Sequence, residues 1–196
     1  MRLAEEGLLD TLPAGGYAVR DFTEADIVDA IELRGTIEGL AARFAAERGV
    51  RPALLSDARD CLRLIDAALA APALTDETFT VYVAQNARFH ALLAEMAGSP
   101  LLARQLDKAK ALPFASPNGF VLAHAVGPRA RDVLVVAQEQ HRMVIEAIAQ
   151  REGARAEALM REHARIARRN LQQALHDQQA LQRVPGARLI RRGAAR

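Results

Sequence analysis

Three histidines of this chain each fall on a stripe of apolar residues, and each stripe belongs to a different expected helix. His90 shares a stripe with Phe79, Val83, Asn86, Leu93 and Ala97; His141 with Leu134, Ala137, Val144, Ile145 and Ile148; His163 with Leu159, Met160, Ile166, Ala167, Leu171 and Ala174. Spacings of three and four residues put each set on one helical face. An imidazole turned toward a core needs a partner, because burying an unpaired polar group costs a few kcal/mol. Any one of them read alone is a core histidine satisfied by a neighbour. Three converging imidazoles can instead satisfy one another through a single bound metal ion. Arg34 also interrupts an apolar stripe (Ile27, Ile31, Ile37, Ala41, Phe44), with Glu38 one turn on. Two readings of it stand side by side: a buried ion pair with Glu38, or a bidentate clamp for a carboxylate ligand.

The elements that must carry these side chains are helices. The chain has 196 residues, 51% of them hydrophobic and only 4% aromatic, with no Trp. That is enough for one domain with a full core, and its abundant Ala, Leu, Arg and Glu favour helix. Thr23-Glu24-Ala25-Asp26 reads as a capping box opening a helix to about residue 47, closed by Gly49. Further helices are expected over 52–70, 76–96 and 101–112, the third stopped by Gly98-Ser99-Pro100. A loop follows at Pro113–Gly119, with a short helix after it to His124. Gly127-Pro128 opens a helix to about 151, and a last one runs over about 154–181. The expected fold is all-α, an antiparallel bundle of six to seven helices. A short β-hairpin precedes it, Leu9–Pro13 and Tyr17–Arg20 around Gly15-Gly16, a pair that supplies the positive φ of a tight turn. Arg2 to Leu8 reads as the end of a helix. The domain boundaries read as 1–20, 21–182 and a flexible basic tail at 183–196.

Composition narrows the function classes. Net charge is only +2. Arg188, Arg191, Arg192 and Arg196 sit at the C-terminus, and Arg161, Arg165, Arg168 and Arg169 on the last long helix, which reads as a solvated face before a nucleic-acid surface. The single Cys61 excludes an internal disulfide and fits a reducing compartment. No apolar run reaches the length of a membrane span and the N-terminus lacks a signal-peptide core, so a cytoplasmic protein without membrane partners is expected. Paired Glu-x-x-His units, a His-Glu-x-x-His motif and a Gly-rich phosphate loop are all absent. No catalytic residue is assigned. A mononuclear metalloenzyme on the bundle is the alternative reading. His124 and His176 read as ordinary polar positions.

Several segments in order resemble one family. Arg2–Leu9 with the Gly15-Gly16 hairpin looks like the recognition-helix end and wing of a GntR-type winged helix-turn-helix. Ile31–Ala42 resembles the first helix of the ligand-binding (FCD) domain in the FadR subfamily. Asn86-Ala87-Arg88-Phe89-His90 with Ala97-Gly98-Ser99-Pro100 resembles its metal-binding helix and stop. Glu139-Gln140-His141-Arg142 and Met160-Arg161-Glu162-His163 resemble its two later histidine helices. The resemblance implies a transcriptional regulator's effector-sensing and dimerisation domain. It implies a divalent metal, zinc or nickel, held by Asn86, His90, His141 and His163, and a small carboxylate effector, an aromatic acid among the candidates; in its clamp reading, Arg34 would bind that carboxylate. The family usually has Asp where this chain has Asn86, so the site loses one negative charge. The resemblance further implies a homodimer, and operator DNA as a partner only for a longer chain with the complete winged helix. DNA-binding residues are therefore not assigned here.

Overall fold

The computed structural model describes residues 8–112, 114–121 and 130–191. Seven α-helices occur among them: α1 (Glu24–Arg48), α2 (Pro52–Ala70), α3 (Asp76–Met96), α4 (Pro100–Ala111), α5 (Ala130–Ala149), α6 (Gly153–His176) and the short α7 (Gln178–Gln182). The strands are β1 (Leu9–Thr11), β2 (Tyr17–Val19), β3 (Phe22–Thr23) and β4 (Ile190–Arg191). The all-α reading with a leading hairpin holds. The expected helix end before Leu8, the short helix to His124 and the Gly127-Pro128 opening lie outside the described residues.

Local chemistry sets the boundaries. The Thr23 hydroxyl accepts from the Asp26 amide at 3.1 Å while the Asp26 carboxylate accepts from the Thr23 amide at 2.8 Å, a reciprocal capping box. Thr75 and Thr78 form the equivalent pair at α3, and Ser99 with Pro100 opens α4. Gly49, with φ of 85°, ends α1 in a conformation that Cβ-bearing residues avoid. The expected last helix is interrupted at Asp177, whose carboxylate accepts from the Gln179 and Ala180 amides and so starts α7 as a new helix.

Two main apolar clusters divide the interior, beside a third, small one of Ala41, Ala97 and Leu102. The larger joins α2, α3, α5 and the far halves of α1 and α6 through residues such as Ile65, Phe89, Leu93, Ile148 and Met160. The smaller gathers Phe22, Ile27, Ile31, Phe120, Leu171, Val184 and Ile190. In this second cluster residues ahead of α1 meet residues beyond α7. β3 pairs in parallel with β4, Phe22 opposite Ile190. Residues 183–191, read from sequence as the start of a tail, thus turn back and bury Val184 and Ile190 against the start of α1. The hairpin β1–β2 is antiparallel, Asp10 opposite Ala18.

α1 packs most extensively on α6. Gly35 makes the contact close: a Cβ there would lie 2.5 Å from the Ala164 Cβ. Ala164 follows His163, so this approach is what brings His163 beside α1. Gly35→Ala should therefore push the two helices apart and lower stability by about 1–3 kcal/mol despite alanine's better helix propensity. Chemical denaturation reads this directly, and an unchanged or raised midpoint would contradict the packing argument.

Candidate metal centre

Four helices converge on one buried polar group. α1 supplies Arg34 and Glu38, α3 Asn86 and His90, α5 Gln138 and His141, α6 His163 and Asn170, and all eight are buried. His90, His141 and His163 each bring a ring nitrogen within 4.8 Å of the others. Sequence periodicity could place each on a core face; only the packing shows that the faces meet.

Hydrogen bonds decide which nitrogens are free. Glu38 Oε1 lies 2.8 Å from His90 Nδ1. A carboxylate only accepts, so Nδ1 carries a proton, and in the neutral form of the ring the lone pair lies on Nε2. Gln138 Nε2 donates to the Leu62 carbonyl at 2.9 Å and to the Asp66 carboxylate at 2.6 Å. Both partners only accept, which fixes the amide and turns Gln138 Oε1 to His141 Nδ1 at 3.2 Å. His141 therefore donates from Nδ1 and leaves Nε2 as a lone pair. That Nε2 lies 3.0 Å from His163 Nε2. Two facing ring nitrogens can share one proton or converge on one cation, and cannot both be protonated. The donor set, borderline imidazoles with their outer nitrogens held by a carboxylate and an amide, fits a divalent ion such as zinc or nickel.

Charge is balanced by Arg34. Its Nη1 donates to Glu38 Oε2 at 2.5 Å, while Glu38 is 0% exposed. Burial works to raise the Glu38 pKa, but the Arg34 charge and the interaction with His90 outweigh it and hold the carboxyl at about 2. Burial, with His163 and His90 adding repulsion, pushes His141 well below the ordinary histidine value. Burial and the neighbouring His90 take His163 down to about 3. Both rings are neutral near pH 7, the state in which imidazole binds a cation.

A cavity of about 30 Å³ adjoins the group, lined by Arg34, Tyr82, Asn86, His163, Asn170 and Phe120, among others. It offers room for roughly two waters. Among the described residues, four buried side-chain polar atoms lack a partner: Arg34 Nε, Asn86 Oδ1, His163 Nδ1 and Gln140 Oε1. The first three belong to residues that line this cavity. Unpaired buried polar atoms are costly and seldom cluster without something to satisfy them.

The structure thus gathers every residue the sequence singled out. Arg34 makes the ion pair with Glu38 through Nη1 and keeps an unpaired Nε–H. Glu38 appeared in the sequence only as its partner; its bond to His90 was missed, as were Gln138, Tyr82 and Asn170. Gln138 had a faint signal, three residues before His141 on the same face. Away from the site, His176 is exposed and bonded to the Gln172 carbonyl. Arg165 and Arg169 are paired to Glu162 on the exposed face of α6. No described helix is long and apolar enough to cross a membrane.

The FCD domain family model matches residues 29–166, a span that holds every residue of the buried polar group except Asn170. No curated protein matches the chain significantly. Among solved structures, E. coli McbR/YncC is similar with a TM-score of 0.61 at 16% identity, over 91% of this chain and 77% of that one. Streptococcus agalactiae GntR is similar with a TM-score of 0.53 at 18% identity, over 86% of this chain and 77% of that one. These identities bear on the fold alone.

The buried histidines have a consequence for pH. An unfolded histidine titrates near 6.5, while folded His141 and His163 titrate well below it. As pH falls below about 6.5 the unfolded chain takes up protons that the folded chain refuses, so stability is lost. The slope approaches about 1.4 kcal/mol per pH unit per histidine. Urea unfolding in chelator between pH 7 and 4.5 should show this loss, and His141→Gln should flatten it. Equal slopes for the two proteins would mean that His141 is protonated in the fold.

Proposed function

Because the chain belongs to the FCD domain family, we propose that it is the effector-sensing domain of a GntR-type transcriptional regulator and takes a small carboxylate at a divalent metal site. The observation that carries this reading is the cluster of three histidine nitrogens, reached through His163 from a cavity lined by residues with unpaired polar atoms. His90, His141 and His163 would hold the ion, with Asn86 Oδ1 as a fourth, neutral oxygen donor. The ion would act as a Lewis acid that binds an anionic oxygen, and with four neutral ligands it keeps its full double charge.

The chain's own residues do the remaining work. Glu38 and Gln138 fix the rings of His90 and His141 so that their Nε2 lone pairs point inward. Arg34 stays charged against Glu38 and offers Nε–H to a carboxylate oxygen. Tyr82, its pKa raised by burial, stays protonated at the cavity wall. The cavity suits an acid of few heavy atoms; an aromatic acid needs residues 114–121 to move outward. No residue is proposed as catalytic.

Sensing would work by population shift. Arg34 and Glu38 lie on α1, which begins directly after β3. Phe120, a cavity residue, stacks on Phe114 at 5.9 Å, and Phe114 meets Phe22 of β3 edge-on at 6.4 Å. A ligand that favours one packing of these rings biases the segment leading to the hairpin β1–β2, proposed as the wing. The sensing domain is proposed to span 21–182, followed by the C-terminal segment 183–196. A homodimer would present paired winged helices to operator DNA, in a chain that carries the whole winged helix. A cytoplasmic location follows from that role.

Thermal denaturation tests the reading. Zinc at a hundredfold excess over its Kd should add about 2.7 kcal/mol, a shift of several degrees for a chain of this size, and His141→Ala should abolish it. Small carboxylates should shift the zinc-loaded protein further. Arg34→Lys, which keeps a cation for Glu38 but loses Nε–H, should lose most of that second shift and keep the first. Wild-type protein that responds to neither zinc nor nickel sinks the proposal.

A further inference from the structure

The residue at position 86 is held from outside its helix. Asn118 Nδ2 donates to the Val83 carbonyl at 3.0 Å. A carbonyl only accepts, so the Asn118 amide has one orientation, with Oδ1 turned the other way. That oxygen must meet a donor, and it meets Asn86 Nδ2 at 2.8 Å. The Asn86 amide is thereby oriented in turn. Its NH2 is spent on Asn118, and its Oδ1 is buried without a partner in a residue that lines the cavity. We infer that Asn118 is a positioning residue, which holds the Asn86 amide so that the carbonyl oxygen faces the cavity and so makes residues 114–121 part of the site.

The loop is built to hold Asn118 there. Asn118 N donates to Ser116 Oγ at 3.2 Å, and Gly119 N to the Ser116 carbonyl at 2.9 Å. A Cβ on Gly119 would lie 2.6 Å from the Phe114 carbonyl oxygen, so the turn closes only around glycine. Val83 and Asn86 are three residues apart on α3, so Asn118 spans one face of a single turn. A carboxylate at position 86 could not take the same place. It would set an oxygen against Asn118 Oδ1, and relief would require Asn118 to turn over, losing its bond to the Val83 carbonyl and setting its own oxygen against it. Asn86 and Asn118 are a matched pair, and the amide at 86 is a requirement of the loop.

The identity of the occupant as a divalent ion rests on the proposed function; the clamp itself does not. Hydrogen exchange across 114–121 in zinc-free protein, combined with zinc affinity from competition with a chromophoric chelator, tests both. Asn118→Ala should speed exchange across the loop several-fold and weaken zinc binding about tenfold, the scale of a lost outer-shell partner. Asn118→Ser is the second variant, should the first not fold. Asn86→Asp adds a negative charge, yet it should also speed loop exchange in the zinc-free protein. Wild-type exchange in either position's variant overturns the inference, and so does unchanged zinc affinity in Asn118→Ala. If the wild-type protein takes up no zinc, the metal reading fails and loop exchange alone decides the role of Asn118.

Discussion

A carboxylate with no access to water organises the centre of this bundle. Glu38 is fully buried, and an ionised group there is tolerable only if its charge is met at once. Arg34 meets it from one turn earlier on the same helix, and His90 meets it from α3. Each bond fixes something further out. The arginine is drawn along α1 until its remaining Nε–H faces the cavity wall. The histidine is held in one tautomer with its other nitrogen inward. Removing Glu38 or Arg34 would leave a buried charge without its ion-pair partner, which costs several kcal/mol, and removing His90 would leave one carboxylate oxygen without its donor.

The same logic repeats with neutral groups. Gln138 does for His141 what Glu38 does for His90, anchored on the Leu62 carbonyl and on Asp66 near the surface. Asn118 does it for Asn86. In each case a group that can only accept fixes an amide or a ring, and that group presents a lone pair inward. His163 alone has no outer partner, since its Nδ1 is unpaired. The site is rigid on the α1, α3 and α5 sides and unfinished on the side of the cavity, an arrangement suited to receiving a ligand.

The cavity is coupled to β3, directly ahead of α1, through aromatic packing. Phe120, Phe114 and Phe22 touch in series, and the pairing of β3 with β4 draws the C-terminal segment onto the same cluster. A sensing domain must alter the segment that leads to its reporter, and here that segment and the cavity wall share one apolar cluster. Side chains packed at this density do not deform smoothly, so a displaced ring moves its neighbours.

Much of this was legible in the residues. Periodicity and caps gave six helices with boundaries close to those observed, because an amphipathic stripe and a capping box are local properties that tertiary contacts seldom reverse. The stripes also marked His90, His141, His163 and Arg34 as polar residues on core faces, and the ordered motifs pointed to the family. The break at Asp177 was missed, since a side-chain cap there competes with an otherwise continuous helical pattern. The return of residues 183–191 was missed because a parallel pairing of two-residue strands at opposite ends of the chain leaves no local trace. By itself, then, the sequence determined which faces are buried and which polar groups lie on them, since both follow from a 3.6-residue period. Only the tertiary structure decided that those faces meet, which nitrogen of each ring is free, and which end of the Asn86 amide is turned inward. Those are settled by partners 32 to 76 residues away, Asn118 for Asn86, Glu38 for His90 and Leu62 for Gln138, and a helical period carries no information over that distance.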